Sequence, residues 1–171
     1  MIKIICVGKI KEKYLSDLIN DYKTRITKYS KIEIIELKDS DIVSESNEIL
    51  KVMNDRDYNV IMDIDGTNMD SVGLSSFIND TFSSGYGCIT FIIGASNGVS
   101  DEVKNKCNKR LSFSKLTFPH GLFRGMLLEQ IYRSFKILNN VSLSSSKLSI
   151  TVKDAPISSS SGYLSQEPVT T

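Results

Sequence analysis

Apolar and polar residues follow two different periods along this chain. Short, almost continuous apolar runs end at a glycine in IKIICVG at 2–8, YNVIMDIDG at 58–66 and CITFIIG at 88–94. Runs of this kind are typical of strands that are buried on both faces of a parallel sheet. The segment KIEIIEL at 31–37 instead alternates with charged residues, which predicts a more exposed strand.

Helical periodicity follows the first strand. Residues 11–29 carry apolar side chains at intervals that suit a helix: Tyr14, Leu15, Leu18, Ile19, Tyr22 and Ile26. This spacing predicts an amphipathic helix with one face against the sheet. Shorter helices are predicted over 40–53, 74–82 and 101–109.

The segment RLSFSKLTF at 110–118 alternates like a further strand. Pro119 comes directly after it and predicts the start of a last helix, because proline suits the first helical turn. Strands and helices then follow one another in regular order, with about five of each. This order predicts an α/β fold with a parallel sheet.

The composition changes at Asn139. Residues 139–171 are rich in serine, hold two of the three prolines and contain one short apolar run, LSITV at 148–152. Such a segment buries too little apolar surface to offset the entropy of ordering it. We therefore predict one domain over residues 1–138 and a mostly disordered tail over residues 139–171.

Composition narrows the class of protein further. A chain of 171 residues with 40% hydrophobic and 24% charged residues fits a single soluble domain with a sizeable core. No apolar run approaches the roughly 20 residues needed to cross a bilayer, and no apolar signal region is visible at the start. A cytoplasmic location without a membrane partner is expected.

Cysteine spacing and net charge bear on three features: metal sites, disulfide bonds and general attraction to nucleic acid. Cys6, Cys88 and Cys107 lie far apart without CxxC spacing, so neither a metal site nor a disulfide framework is indicated. A net charge of +1 gives no general attraction to nucleic acid. If RNA is the partner, local shape and a few arginines must recognise it.

Ligands of open parallel sheets bind beyond the carboxyl ends of the strands. There, Gly94 and Gly98 flank small residues in GASNG, which would let the backbone approach a ligand closely. The loop is neither GxGxxG nor a P-loop with its lysine, so nucleotide phosphate is not indicated. A tight turn that needs glycine for its dihedral angles is the alternative.

Two carboxylates mark the end of another strand. Asp63 and Asp65 in MDIDG are two residues apart and are expected on the same side of the strand end. They could suggest metal binding or acid–base chemistry, but no third oxygen ligand lies nearby in sequence. We favour a turn at Gly66 over a metal site.

The only histidine of the chain, His120, follows Pro119 and falls in the first turn of the last helix. The positive end of a helix disfavours an imidazolium there. His120 is a candidate catalytic residue, but a helix-start residue is the favoured interpretation. Gly121 and Gly125 lie four residues apart on the same helix and leave a strip where another backbone could approach.

These motifs together resemble one family, the SPOUT-class methyltransferases that methylate N3 of a pseudouridine in bacterial large-subunit ribosomal RNA. The resemblance covers about residues 1–138. It is carried by KIICVGKIKEKYL at 3–15, DIDG at 63–66, TFIIGASNG at 90–98, LSFSKLTFPH at 111–120 and LLEQIYRSFKI at 127–137.

The resemblance implies a parallel α/β fold with a C-terminal trefoil knot, a homodimer with its sites at the interface, and 23S ribosomal RNA in the assembled ribosome as substrate. It also implies S-adenosylmethionine as cofactor and no metal. Arg124 matches a basic residue of the family's knot helix and is a candidate catalytic residue. Carried over by position, the cofactor contacts are Met62, Gly94, Phe113, Ser114, Lys115, Leu116, Thr117 and Phe118.

The chain departs from the family pattern in several places. Ala95 replaces the second of two glycines, Gly121 and Gly125 replace larger residues, and the segment 39–58 is shorter than usual. The family's Tyr-His-Lys ending is missing. A frameshift near Asn140 is one hypothesis for this ending, because codons for Ser-Leu-Ser-Ser at 142–145 can encode Ala-Tyr-His in another frame.

Three alternatives to an active methyltransferase remain at this point. The first is a diverged homologue that folds and binds cofactor but methylates poorly. The second is a non-catalytic dimer that binds RNA or the ribosome. The third is a flavodoxin-like nucleotide-binding protein, which the absence of a phosphate-binding loop opposes.

Overall fold

The computed structural model describes residues 1–96 and 98–139 of the chain. The predicted disordered tail lies, from residue 140 onward, outside the described residues. The elements alternate in the order β1 (Ile2–Val7), α1 (Lys13–Ile26), β2 (Ile32–Leu37), α2 (Ile42–Val52), β3 (Tyr58–Asn68), α3 (Ser71–Ser83), β4 (Ile89–Ile93), α4 (Asp101–Lys106), β5 (Lys109–Ser112) and α5 (His120–Leu138).

The five strands form one sheet in the order β2-β1-β4-β3-β5, and all four pairings are parallel. This confirms the predicted α/β fold with a parallel sheet. Phe91 lies in β4, the middle strand, and pairs with Ile4 of β1 on one side and with Val60 of β3 on the other. The trefoil knot that the resemblance implies stays a prediction.

Helices cover both faces of the sheet. On one face, Ile4, Cys6 and Phe91 pack with buried residues of α1, α3 and α5. On the other face, Ile5 and Ile92 pack with buried residues of α2 and α4. Adjacent strand residues therefore point into different cores, which is why β1 and β4 are apolar without alternation. None of the described helices is long and apolar enough to cross a membrane.

Two predictions are wrong, one about where a strand ends and one about a buried side chain. The strand predicted over 110–118 ends at Ser112. There the Ser112 hydroxyl donates to the carbonyl of Ser114 at 3.0 Å, and the chain leaves the sheet. Tyr14 was expected on the buried face of α1, but 71% of its surface is exposed. It lies in the first turn of that helix.

The glycines of α5 serve close packing against α1. A Cβ atom on Gly121 would lie 2.8 Å from Leu15 Cδ1, and one on Gly125 would lie 2.8 Å from Leu18 Cδ2. The expected strip for close approach is therefore used within the chain, by α1 side chains. Shorter side chains on α1 would be needed if these positions carried larger residues.

The pairing of β3 with β5 changes register next to the predicted ligand loops. Leu111 pairs with Met62 on one side of the irregularity and with Thr67 on the other. Residues 63–66 are thus displaced from regular pairing. Gly66 lies so close to β5 that a Cβ atom would be 2.6 Å from the backbone carbonyl carbon of Leu111.

We expect Gly66→Ala to destabilise the fold, because the clash is with backbone that cannot rotate away. The free energy of unfolding should fall by about 2–3 kcal/mol, as measured by urea denaturation. Gly87→Ala is the matched control, since a Cβ atom there would meet nothing within 4 Å. Equal stability of the two variants would contradict this account of the register change.

Candidate functional site

A cavity of about 660 Å³ opens at the carboxyl edge of the sheet. It lies between the end of β3, the loop after β4 and residues 113–119, which connect β5 to α5. A volume of this size is within the range of small-molecule sites, about 300–1,000 Å³. The cavity is where the topology of an open parallel sheet predicts a ligand.

Most of the residues that the resemblance marked as cofactor contacts meet in this cavity. Its lining includes Met62, Gly94, Phe113, Ser114, Leu116, Thr117 and Phe118. Lys115 does not line it, because its ammonium group turns away and donates to the carbonyl of Ile64 at 3.2 Å. The structure thus brings these segments together, and their cofactor role stays a prediction.

The wall formed by residues 113–118 contains a short turn next to the cavity. The hydroxyl of Ser114 accepts the N–H of Leu116 at 2.9 Å and holds the turn. The N–H groups of Ser114, Lys115, Thr117 and Phe118 have no hydrogen-bond partner among the described residues. Free backbone donors of this kind are available to recognise a polar ligand.

Aromatic rings complete the wall. The ring of Phe123 lies 5.4 Å from that of Phe113 and 6.3 Å from that of Phe118, measured between centroids. All three side chains line the cavity. They give it an apolar surface on which a flat ring system can pack.

The loop after β4 shows why glycines are needed there. A Cβ atom on Gly94 would lie 2.7 Å from Val99 Cγ1, and Gly98 has a φ of +76°. The N–H of Gly98 donates to the carbonyl of Ala95 at 2.9 Å. The segment is a tight turn, as the alternative interpretation predicted, and Gly94, Ala95, Ser96 and Gly98 also line the cavity. Close approach of its backbone to a ligand stays a prediction. Asn97 lies outside the described residues.

A partly buried ion pair also lines the first cavity. Lys104 of α4 contacts Asp63 Oδ2 at 2.8 Å, and both side chains line the cavity. Burial would raise the pKa of Asp63, but the Lys104 ammonium, the N–H of Asp65 and the charge of Arg110 outweigh it and lower the pKa. The carboxylate therefore stays ionised at neutral pH.

This pair was missed in the sequence, where no pattern links α4 to the end of β3. Asp63 and Asp65 have different environments, because the Asp63 side chain is 8% exposed and that of Asp65 is 81% exposed. The expectation that they share one side of the strand end stays a prediction. Among the described residues, no group of His, Cys, Asp or Glu could hold a metal ion.

A second cavity of about 660 Å³ lies beside the first. It is bounded by the loop between β1 and α1, residues 8–12, and by the first turn of α5. Pro119 and His120 line both cavities. His120 is the first residue of α5, and its Nε2 lies 3.5 Å from the hydroxyl of Ser96. It is thus a helix-start residue that also separates two cavities.

Arg124 lies away from the first cavity and is 1% exposed. Its guanidinium donates to Glu36 Oε1 at 2.5 Å and to the carbonyl of Gly8 at 3.0 Å. Its Nε has no partner among the described residues, and the residue lines the second cavity. Within this chain Arg124 therefore ties α5 to the ends of β1 and β2.

We expect Arg124→Met to lower the free energy of unfolding by about 3 kcal/mol, because it leaves Glu36 and the Gly8 carbonyl without their donor. Urea denaturation measures the loss. Arg56→Met is the matched control at an exposed position and should change stability by less than about 0.5 kcal/mol. Similar stabilities would show that Arg124 does not anchor α5.

Comparison with known proteins identifies the family. A family model described as "Predicted SPOUT methyltransferase" matches residues 1–142. A protein of Fusobacterium nucleatum named ribosomal RNA large subunit methyltransferase H is 44% identical over 149 residues, which cover 82% of this chain and 96% of the relative. A protein of the same name from Clostridium tetani is 44% identical over 151 residues, with 81% and 95% coverage.

A solved structure supports the fold alone. It is titled as a probable methylase family protein from Haemophilus influenzae, with a TM-score of 0.51 and 14% identity, and covers 84% of this chain and 70% of that one. The family model covers most of the chain, and the relatives are 44% identical to it over most of its length. The chain belongs to the SPOUT methyltransferase family.

Proposed function

We propose that this protein is an S-adenosylmethionine-dependent methyltransferase that methylates N3 of a pseudouridine in 23S ribosomal RNA of the assembled ribosome. The observation that carries the proposal is the backbone wall of residues 113–118 on a cavity of ligand size. The names of the relatives from Fusobacterium nucleatum and Clostridium tetani support ribosomal RNA as the substrate class.

The first cavity fits the proposed cofactor. The adenine ring of its adenosyl group is flat and aromatic and carries both donors and acceptors at its edge. The cavity offers the rings of Phe113, Phe118 and Phe123 together with free backbone N–H groups in residues 113–118. When bound, S-adenosylmethionine supplies a methyl group on a sulfonium sulfur, which a ring nitrogen can attack.

The residues of the chain contribute orientation and proton handling. The wall of residues 113–118 binds and orients the donor, and the aromatic rings exclude water from it. N3 of pseudouridine carries a proton that must leave as the methyl group is transferred. We propose that this proton leaves to solvent water, and that the ring of His120, which lies where the two cavities meet, accepts the N3–H hydrogen bond beforehand. Arg124 is a positioning residue, held by Glu36 and Gly8.

The same proposal includes the partners and location. We propose a homodimer, supported by Leu116, a large apolar side chain that lines the first cavity and is 71% exposed. A second copy of the chain would bury it. The ribosome as substrate implies a cytoplasmic location. The proposal needs no metal.

We expect the chain to bind S-adenosylmethionine, as measured by titration calorimetry. Ala95→Phe should weaken binding at least about tenfold, because a ring at this position fills the cavity that Ala95 lines. Val72→Phe adds the same ring at an exposed position on α3 and should leave binding unchanged. Binding that survives Ala95→Phe intact would place the cofactor elsewhere.

We expect the chain to transfer labelled methyl groups to ribosomes from a strain that lacks its own enzyme of this family. Mass spectrometry of digested RNA should find the methyl group on N3 of a pseudouridine. A version that is cut after Asn140 and extended by Tyr-His-Lys tests what the family's ending contributes. We expect this version to transfer methyl groups faster, because the ending restores groups that handle the proton. Absence of transfer by both versions would refute the proposed function.

A further inference from the structure

The second cavity has no assigned ligand, although it shares a wall with the first. Pro119 and His120 line both cavities, so an occupant of the second would lie next to the proposed methyl donor. The second cavity is bounded by residues 8–12 on one side and by the start of α5 on the other. A substrate bound in the second cavity would therefore lie next to the reaction site.

The groups around this cavity favour an anion. Lys9 and Lys11 line it, both are exposed, and neither forms an ion pair with a described residue. The first turn of α5 contributes the positive end of a 19-residue helix. Glu12 is the one carboxylate among the lining residues, so the balance of charge at the cavity is positive.

Arg124 adds an independent observation that points to a ligand. Its side chain is 1% exposed and lines the cavity, yet its Nε makes no hydrogen bond with any described residue. The other guanidinium donors are used by Glu36 and by the Gly8 carbonyl. A buried donor without a partner costs free energy, and an acceptor entering the cavity would satisfy it.

We propose that the second cavity binds a backbone phosphate of the substrate RNA next to the nucleotide that is methylated. The inference rests on the proposed function and adds the place where RNA is held. Lys9 and Lys11 contact the phosphate charge, while the end of α5 and Arg124 Nε complete the polar surface. In a chain with a net charge of +1, such a local site supplies the attraction that the whole surface lacks.

The test compares two double variants that each lower the net charge by two. Lys9→Gln/Lys11→Gln removes the cavity charges, and Lys28→Gln/Lys51→Gln removes exposed charges outside both cavities. The measurements are the KM and kcat for methyl transfer to large ribosomal subunits, filter binding of these subunits at several salt concentrations, and calorimetric binding of S-adenosylmethionine.

For the cavity variant we expect a KM about tenfold higher, a kcat within about twofold, and unchanged binding of S-adenosylmethionine. The slope of log affinity against log salt should fall by about 1, because the neutralisation of one phosphate is lost. Lys9→Arg/Lys11→Arg keeps the charge and should restore the KM. The control variant should behave like the parent chain in all three measurements.

The outcomes separate this inference from the function on which it rests. A cavity variant with the same KM and salt slope as the control variant overturns the phosphate site while leaving the methyltransferase intact. A parent chain that binds S-adenosylmethionine but transfers no methyl group overturns the proposed function. Filter binding of subunits still decides the inference in that case, and equal binding by the two double variants overturns it.

Discussion

The arrangement of the site depends on one buried guanidinium. Arg124 lies in the second turn of α5, and its side chain reaches the carboxyl ends of β1 and β2. There its guanidinium donates hydrogen bonds to the carbonyl of Gly8 and to the carboxylate of Glu36. A buried charge requires partners of this kind, so the contacts fix where α5 begins relative to the sheet. Both cavities have that first turn as a wall. An interaction outside the first cavity therefore helps to place one of its walls.

Much of the fold follows from periodicity in the sequence. Apolar runs without alternation predicted strands buried on both faces, and β1 and β4 have this environment. The end of β5 was misplaced because residues 113–118 keep an alternating pattern after the chain leaves the sheet. An alternation of apolar and polar residues shows that every second side chain can be buried, but not what buries it. Here the rings of Phe113 and Phe118 pack on Phe123 of α5 instead of on a neighbouring strand.

The site was partly predictable, because parallel sheets place loops at one edge. The loops after β3, β4 and β5 meet there as expected. Long-range pairs were not predictable, since nothing in one sequence links Asp63 with Lys104 or Arg124 with Glu36. The burial of Arg124 was missed for the same reason. In the sequence, an arginine among other polar residues of a helix is expected on the face exposed to solvent. Only the folded chain shows which carboxylate it meets.

In the wall of residues 113–118, the N–H groups of Ser114, Thr117 and Phe118 have no hydrogen-bond partner among the described residues, while the Lys115 side chain donates to Ile64 and Asp65. Every residue type except proline carries the same main-chain N–H group. An inhibitor that bonded only to this wall would meet unchanged chemistry after most single substitutions in it. Resistance would then have to come from changes that move the backbone itself, and those changes also put the fold at risk.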